Sequence, residues 1–165
     1  MDLRVGIGLD FHRFAPGRRL VLGGVDIPHE AGLLGHSDAD VILHAVCDAL
    51  LGAAALGDLG RHFPPTEERW RDASSLLLLG QVRALLAQAG YAPVQVDVAV
   101  VAERPKLAPY VPQMRRNIAA VLGIAEEAVS IKATTAEGMG ALGRGEGIAA
   151  WAVALIRRGA KDRAP

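Results

Sequence analysis

The sequence predicts an α+β domain, a single small sheet covered on one face by helices (an α/β sandwich), with a peripheral β-hairpin. Two observations carry this. Stretches of period-two alternation and stretches of helical period follow one another along the chain. No internal repeat or linker-like run divides the 165 residues, and 51% of them are hydrophobic, enough for one core.

Leu3 to Asp10 alternates and reads as the first strand. Its Gly6-x-Gly8 is a fragment of a dinucleotide fingerprint that lacks the third glycine and the following helix, so it is set aside. After the Pro16-Gly17 turn, Leu20 to Val25 and Ile27-Pro28 form the peripheral hairpin. Ser37 is a good N-cap, and Asp40 completes a capping box for a helix running to about Leu56. Gly57 to Gly60 breaks it, and Phe63-Pro64-Pro65-Thr66 begins a long loop of the kind that carries function. A second helix spans Ala73 to Ala89 and stops at Gly90. Val94 to Val101 is a strand, Pro105 and Pro109 bracket a loop, and Val111 to Leu122 is a third helix ending at Gly123. Val129 to Thr135 is a strand, residues 137–147 hold five glycines, and Ile148 to Ile156 is the last strand. Residues 1–157 are read as one catalytic domain and 158–165 as a charged, frayed tail.

With 18 Lys+Arg against 18 Asp+Glu the net charge is zero, which gives no electrostatic case for nucleic acid or an anionic membrane surface. No apolar run reaches membrane-spanning length, and the N-terminus lacks signal-peptide architecture. The single Cys47 cannot pair within the chain, and a reducing, cytoplasmic setting is expected.

Asp10 and His12 share a strand face, and His44 adds a second imidazole. One oxygen and two nitrogens suit zinc with one position left open; the alternative is a core histidine and a strand-end carboxylate. His36, Asp40 and His44 are spaced by four, so a helix beginning here sets them along one side. His36 and Ser37 at the helix start are placed for an anion, and Asp40 is a cap or the orienter of a metal-bound histidine. Lys132 to Glu137 leads a strand into the glycine-rich loop, where Thr134, Thr135 and Glu137 offer phosphate contacts and an oxygen ligand for Mg²⁺; paired threonines are also ordinary strand formers. Arg144 is a partner for Glu146 or a phosphate clamp. There is no convincing Ser-His-Asp or Cys-His set.

Asp10-Phe11-His12, Gly35 to Asp40 with His44, Gly52 to Gly60, Phe63-Pro64, Lys132 to Glu137 and Gly143 to Gly147 together resemble the 2-C-methyl-D-erythritol 2,4-cyclodiphosphate synthase family of the non-mevalonate route to isoprenoids. The resemblance runs from Leu3 to Ile156. It implies a homotrimer with active sites between neighbouring subunits. It implies a ring closure in which the 2-phosphate of a cytidine diphosphate-linked methylerythritol attacks the β-phosphorus and CMP leaves. In that likeness Asp10, His12 and His44 hold zinc (or manganese or magnesium), His36 and Thr135 stabilise the transition state, and Glu137 holds a second Mg²⁺ or Mn²⁺. Asp58 and Gly60 meet the erythritol portion. Ala102, Pro105, Lys106, Ala108, Ala133 and Thr134 form the neighbour's cytidine pocket. Ser37, Phe63 and Arg144 complete the substrate contacts, with Asp40 and Glu146 in support. Pro65 stands where the family often has Asp, and Ala141 where some members have Phe near the trimer axis. A zinc phosphohydrolase and a non-catalytic, metal-braced trimer are the rival readings.

Overall fold

The computed structural model describes residues 2–159. Its first strand, β1 (Leu3–Pro16), runs past the predicted end at Asp10 and pairs antiparallel with β7 (Gly147–Arg158), from Leu3 opposite Arg157 to Arg13 opposite Gly147. On its other side β7 pairs antiparallel with β5 (Tyr91–Val101), and β5 pairs in parallel with β6 (Val129–Thr134). A short strand, β4 (Ala31–Leu33), adds to the end of β1, giving the order β4-β1-β7-β5-β6. The expected hairpin is present as β2 (Leu20–Leu22) and β3 (Val25–Ile27), a separate two-stranded sheet.

Helices α1 (Val41–Ala53), α3 (Ser75–Gln88) and α4 (Val111–Leu122) cover one face, with α1 against β1 and β7. The short helices α2 (Leu59–His62) and α5 (Gly140–Gly143) lie in the two long loops. The core fills the space between helices and sheet, where Val96, Val98 and Val100 of β5 and the even residues 148–156 of β7 are buried. Cys47 is buried and free, as its place among apolar residues implies.

On β1 the alternation has an unusual consequence. Odd residues Leu3, Val5, Ile7, Leu9 and Phe11 face away from the helices and are 45–67% exposed. Even residues Gly6, Gly8, Asp10 and His12 share the opposite face. A Cβ on Gly6 would lie 2.0 Å from the Ala49 carbonyl oxygen, and one on Gly8 2.0 Å from that of Ala45. The Gly-x-Gly pair therefore serves helix–strand contact, not a nucleotide.

The helix start departs from expectation. Ala39 has a left-handed φ of 57°, so no helix can begin at Ser37. Asp40 is the N-cap and accepts from the Leu43 amide at 3.1 Å, while its carboxylate also accepts from Gly23 at 2.9 Å and Gly24 at 2.7 Å. The Ser37–Asp40 capping box does not form, and His36 lies before the helix, not on its ridge. The helix stops at Ala53, short of Leu56, because Ala55 is left-handed at φ 57°. At the other end Arg158, assigned to the tail by sequence, is the last residue of β7 and donates to Asp2 at 2.7 Å and Tyr91 at 2.9 Å. Gly159 follows, its amide donating to the Gly90 carbonyl at 2.8 Å, and residues 160–165 of that tail lie outside the described residues. No helix among the described residues is long and apolar enough to cross a membrane.

Candidate active site

The Gly6-Gly8 contact seats α1 so that His44, one turn into the helix, meets Asp10 and His12 on β1. Asp10 Oδ2 lies 2.9 Å from His44 Nδ1 and 2.9 Å from His12 Nε2, and the two ring nitrogens are 3.2 Å apart. Hydrogen-bond bookkeeping decides what these atoms carry. His12 Nδ1 is 2.6 Å from the Leu34 carbonyl oxygen, which can only accept, so the proton sits on Nδ1 and Nε2 keeps its lone pair in the neutral ring. His44 Nε2 faces the hydroxyls of Ser37 and Ser75, each at 3.0 Å. One ring nitrogen of each histidine and a carboxylate oxygen converge, and with both rings neutral and their protons turned outward the three are a donor set for a cation.

Burial works to raise the Asp10 carboxyl, but hydrogen bonds and charge from His12 and His44 overcome it and hold the group well below the ordinary carboxylate range. Burial likewise opposes protonation of His12, and the Asp10 carboxylate outweighs it, so the His12 pKa is raised above 6.5. The ligand atoms lie within 4.8 Å of one another, and N₂O donation with an open side fits zinc or a similar divalent ion.

That open side faces a cavity of about 390 Å³, lined also by His36, Ser37, Gly60 and Phe63. His36 Nε2 is 3.2 Å from the Glu67 carbonyl oxygen, which holds the ring at the rim. Asp58 caps α2 through the Arg61 amide at 2.9 Å, and Asp48 on α1 accepts from the Leu59 amide at 2.7 Å, tying this loop to the helix that carries His44. Burial raises the Asp48 pKa. Trp70 stands edge-on to Phe63, centroids 5.0 Å apart, and walls the cavity.

A second cavity, of about 250 Å³, is lined by Ala102, Pro105, Lys106, Ala108, Ala133 and Thr134, with Thr135 at its edge. Thr135 donates to Glu137 Oε1 at 2.8 Å, and Glu103 Oε1 accepts from the Ala136 amide at 2.8 Å, bracing the two loops together. The two cavities have no lining residue in common. Arg144 and Glu146 reach neither; they pair with each other at 2.6 Å. Asp40 is fully buried among the Gly23, Gly24 and Leu43 amides and makes no hydrogen bond to a histidine side chain.

The YgbB family model matches residues 3–157. The chain belongs to the YgbB family. It is 61% identical over 156 residues to the 2-C-methyl-D-erythritol 2,4-cyclodiphosphate synthase of Syntrophomonas wolfei, covering 94% of this chain and 99% of that one. To the synthase of Symbiobacterium thermophilum it is 65% identical over 152 residues, 92% and 97% of the two chains. An IspF from Plasmodium falciparum, solved as a CDP complex, superposes with a TM-score of 0.83 at 32% identity, covering 96% of this chain and 97% of that one. The bifunctional IspDF of Campylobacter jejuni gives 0.91 at 38% identity over 95% of this chain and 42% of its own. Likeness of this extent makes the chain an enzyme of the synthase class, a lyase acting on a phosphorus–oxygen bond in non-mevalonate isoprenoid biosynthesis.

This YgbB chain brings Asp10, His12 and His44 together, as their sequence positions suggested, but Asp58, Glu137 and Arg144 line neither cavity, and several residues that brace the site were not legible. Asp48 had a signal, since it stands four residues after His44 on the same helix face. Ser75, Asp38 and Glu103 had none, because each acts across a long sequence separation: 31 residues between Ser75 and His44, 33 between Glu103 and Ala136.

Proposed function

We propose that the chain converts 4-diphosphocytidyl-2-C-methyl-D-erythritol 2-phosphate to 2-C-methyl-D-erythritol 2,4-cyclodiphosphate and CMP in active sites shared between copies of a homotrimer. The observation that carries this is the convergence of Asp10 Oδ2, His12 Nε2 and His44 Nδ1 beside the His36–Ser37 cavity. An oxygen of the 2-phosphate bonds to the β-phosphorus, the bond from that phosphorus to the bridging oxygen breaks, and CMP departs with the electron pair. The attacking phosphate is already ionised at neutral pH, so no strong base is needed; the barrier is the approach of anions.

Asp10, His12 and His44 would hold a divalent ion, zinc by preference for this donor set, which would supply Lewis-acid stabilisation of phosphate charge. His36, at the cavity rim, stabilises the transferring phosphoryl group, and Ser37 binds a phosphate. Glu137 is the residue proposed to hold a second cation, Mg²⁺ or Mn²⁺, on the diphosphate, with Thr135 beside it as a donor to the transition state. Asp58, Gly60 and Phe63 receive the erythritol portion, and the Ala102–Ala108 loop with Ala133 and Thr134 receives cytidine, a reading supported by relatives solved with CDP. Arg144 stands at the edge of the glycine-rich loop as a further phosphate contact, with Glu146 as its ion-pair partner.

Two features support assembly. The metal and nucleotide cavities are separate on one chain, and the outer face of β1 leaves five large apolar side chains exposed. Incubation with the cytidyl substrate, Zn²⁺ and Mg²⁺, followed by phosphorus NMR, is expected to yield CMP and the cyclic diphosphate together; inorganic phosphate without CMP would replace this reading with phosphohydrolysis. Sedimentation should give three copies, and Ile7→Glu should lower the mass.

A further inference from the structure

We propose that Asp38, acting through Ser75, is a positioning residue that holds His44 in its Nε2–H tautomer and so aims the Nδ1 lone pair at the metal position. The proposal rests on the metal-site reading above and adds to it the residues that make His44 a competent ligand. The two histidines are set in different ways. His12 is fixed by the Leu34 carbonyl, which has no proton to give. His44 has only hydroxyls behind it, Ser37 and Ser75, and a hydroxyl can donate to a ring nitrogen as readily as accept from one. Were either to donate, the ring proton would move to Nδ1 and the metal would lose a ligand.

Asp38 removes that freedom. The Ser75 hydroxyl donates to Asp38 Oδ1, and the Ser75 amide donates to Asp38 Oδ2 at 2.9 Å. Its proton committed to a carboxylate, the Ser75 oxygen can only accept from His44. Ser75 is fully buried, so water offers it no alternative. Asp38 is itself held by its own amide, which donates to the Ala73 carbonyl at 3.1 Å, and it sits at the first turn of α3, where free N–H groups face a negative charge. Ser37 also accepts from the Ala39 amide at 3.2 Å, but no carboxylate directs its proton.

The test uses the full-length protein and reads zinc affinity by chelator competition in single and double variants. Asp38→Asn presents an amide donor to the Ser75 oxygen, turns the hydroxyl toward His44, and should weaken zinc binding about 10–100-fold. Adding Ser75→Ala to Asp38→Asn removes the misdirected donor, leaves Ser37 as acceptor, and should recover part of that loss. Native-like zinc binding by Asp38→Asn overturns the proposal, as does a double variant weaker than Asp38→Asn alone, the behaviour of a carboxylate that only braces the loop. Native protein that takes up no zinc would instead overturn the functional reading and this proposal with it.

Discussion

Replacing Gly8 by Ala adds one methyl group at the closest contact between β1 and α1. The new Cβ would sit 2.0 Å from the Ala45 carbonyl oxygen and 2.6 Å from the Ala49 nitrogen. Both neighbours are backbone, so no side-chain rotation can make room. Restoring an ordinary contact of 3.4 Å from 2.0 Å requires the helix to retreat by about 1.4 Å. Helix α1 buries eleven of its thirteen residues, and lifting it forfeits contact along its whole inner face. Overpacking typically costs about 1–3 kcal/mol, and a clash of backbone with backbone belongs at the upper end. The same retreat draws His44 away from Asp10 and His12. Metal sites tolerate about 0.2 Å in ligand distance, so zinc affinity should fall steeply along with stability. Gly52, on α1 itself, is the control: its nearest outside atom would be 3.8 Å away, and Ala there should stabilise the helix by roughly 0.5–1 kcal/mol. Urea unfolding and chelator competition on the two variants read both effects. Native-like midpoint and zinc affinity in Gly8→Ala would refute the argument that these glycines set the metal site.

Asp40→Ala should destabilise by about 2–4 kcal/mol in urea unfolding, since it removes an N-cap worth about 1 kcal/mol and leaves the buried Gly23 amide and the half-buried Gly24 amide without their acceptor. Asp40 is also pushed up to about 6, first by burial and then by Asp38; because the folded value exceeds the ordinary 3.8, its ionisation should erode stability as pH rises from 3.8 to about 6, a slope that Asp40→Asn should lack. His12 is raised above 6.5 by Asp10, so in the metal-free protein its contribution is complete below 6.5 and lost as pH rises through the raised value, whereas zinc affinity should climb over the same range as the competing proton leaves. Calorimetric zinc titrations across that window check the sign. Thr135→Ala should lower turnover on the order of 10²–10³-fold, as expected for loss of a transition-state donor, with zinc content and circular dichroism unchanged.

The strands, the hairpin and the three long helices could be read from the sequence because local period carries them. Val96, Val98 and Val100 are buried where alternation put them. The helix start could not be read that way. Ser37 and Asp40 satisfy a capping pattern on paper, yet Asp40 is drawn into capping by Gly23 and Gly24, a hairpin turn seventeen and sixteen residues upstream. The strand β4 escaped because three residues hold no period. At the site, Asp10 and His12 were legible because a strand fixes which residues share a face. The roles of the His12 and His44 ring nitrogens were not, since the Leu34 carbonyl reaches His12 and the Ser75 hydroxyl reaches His44 only in the folded chain. Gly6 and Gly8 show the reverse case, where a residue pattern was visible but its purpose depended on the backbone packed against it.

The separation of the metal cavity from the nucleotide cavity has a genetic consequence. In the proposed assembly each active site draws its ligands from one copy and its cytidine contacts from the next, so two inactive chains can complement each other. A chain lacking His44 still offers a sound nucleotide face, and a chain lacking Lys106 still offers a sound metal face. Mixed in equal amounts into cyclic trimers, the two should rebuild about one intact site in four, by random choice of neighbours. A lesion in either cavity would then behave as recessive in a cell that makes both forms.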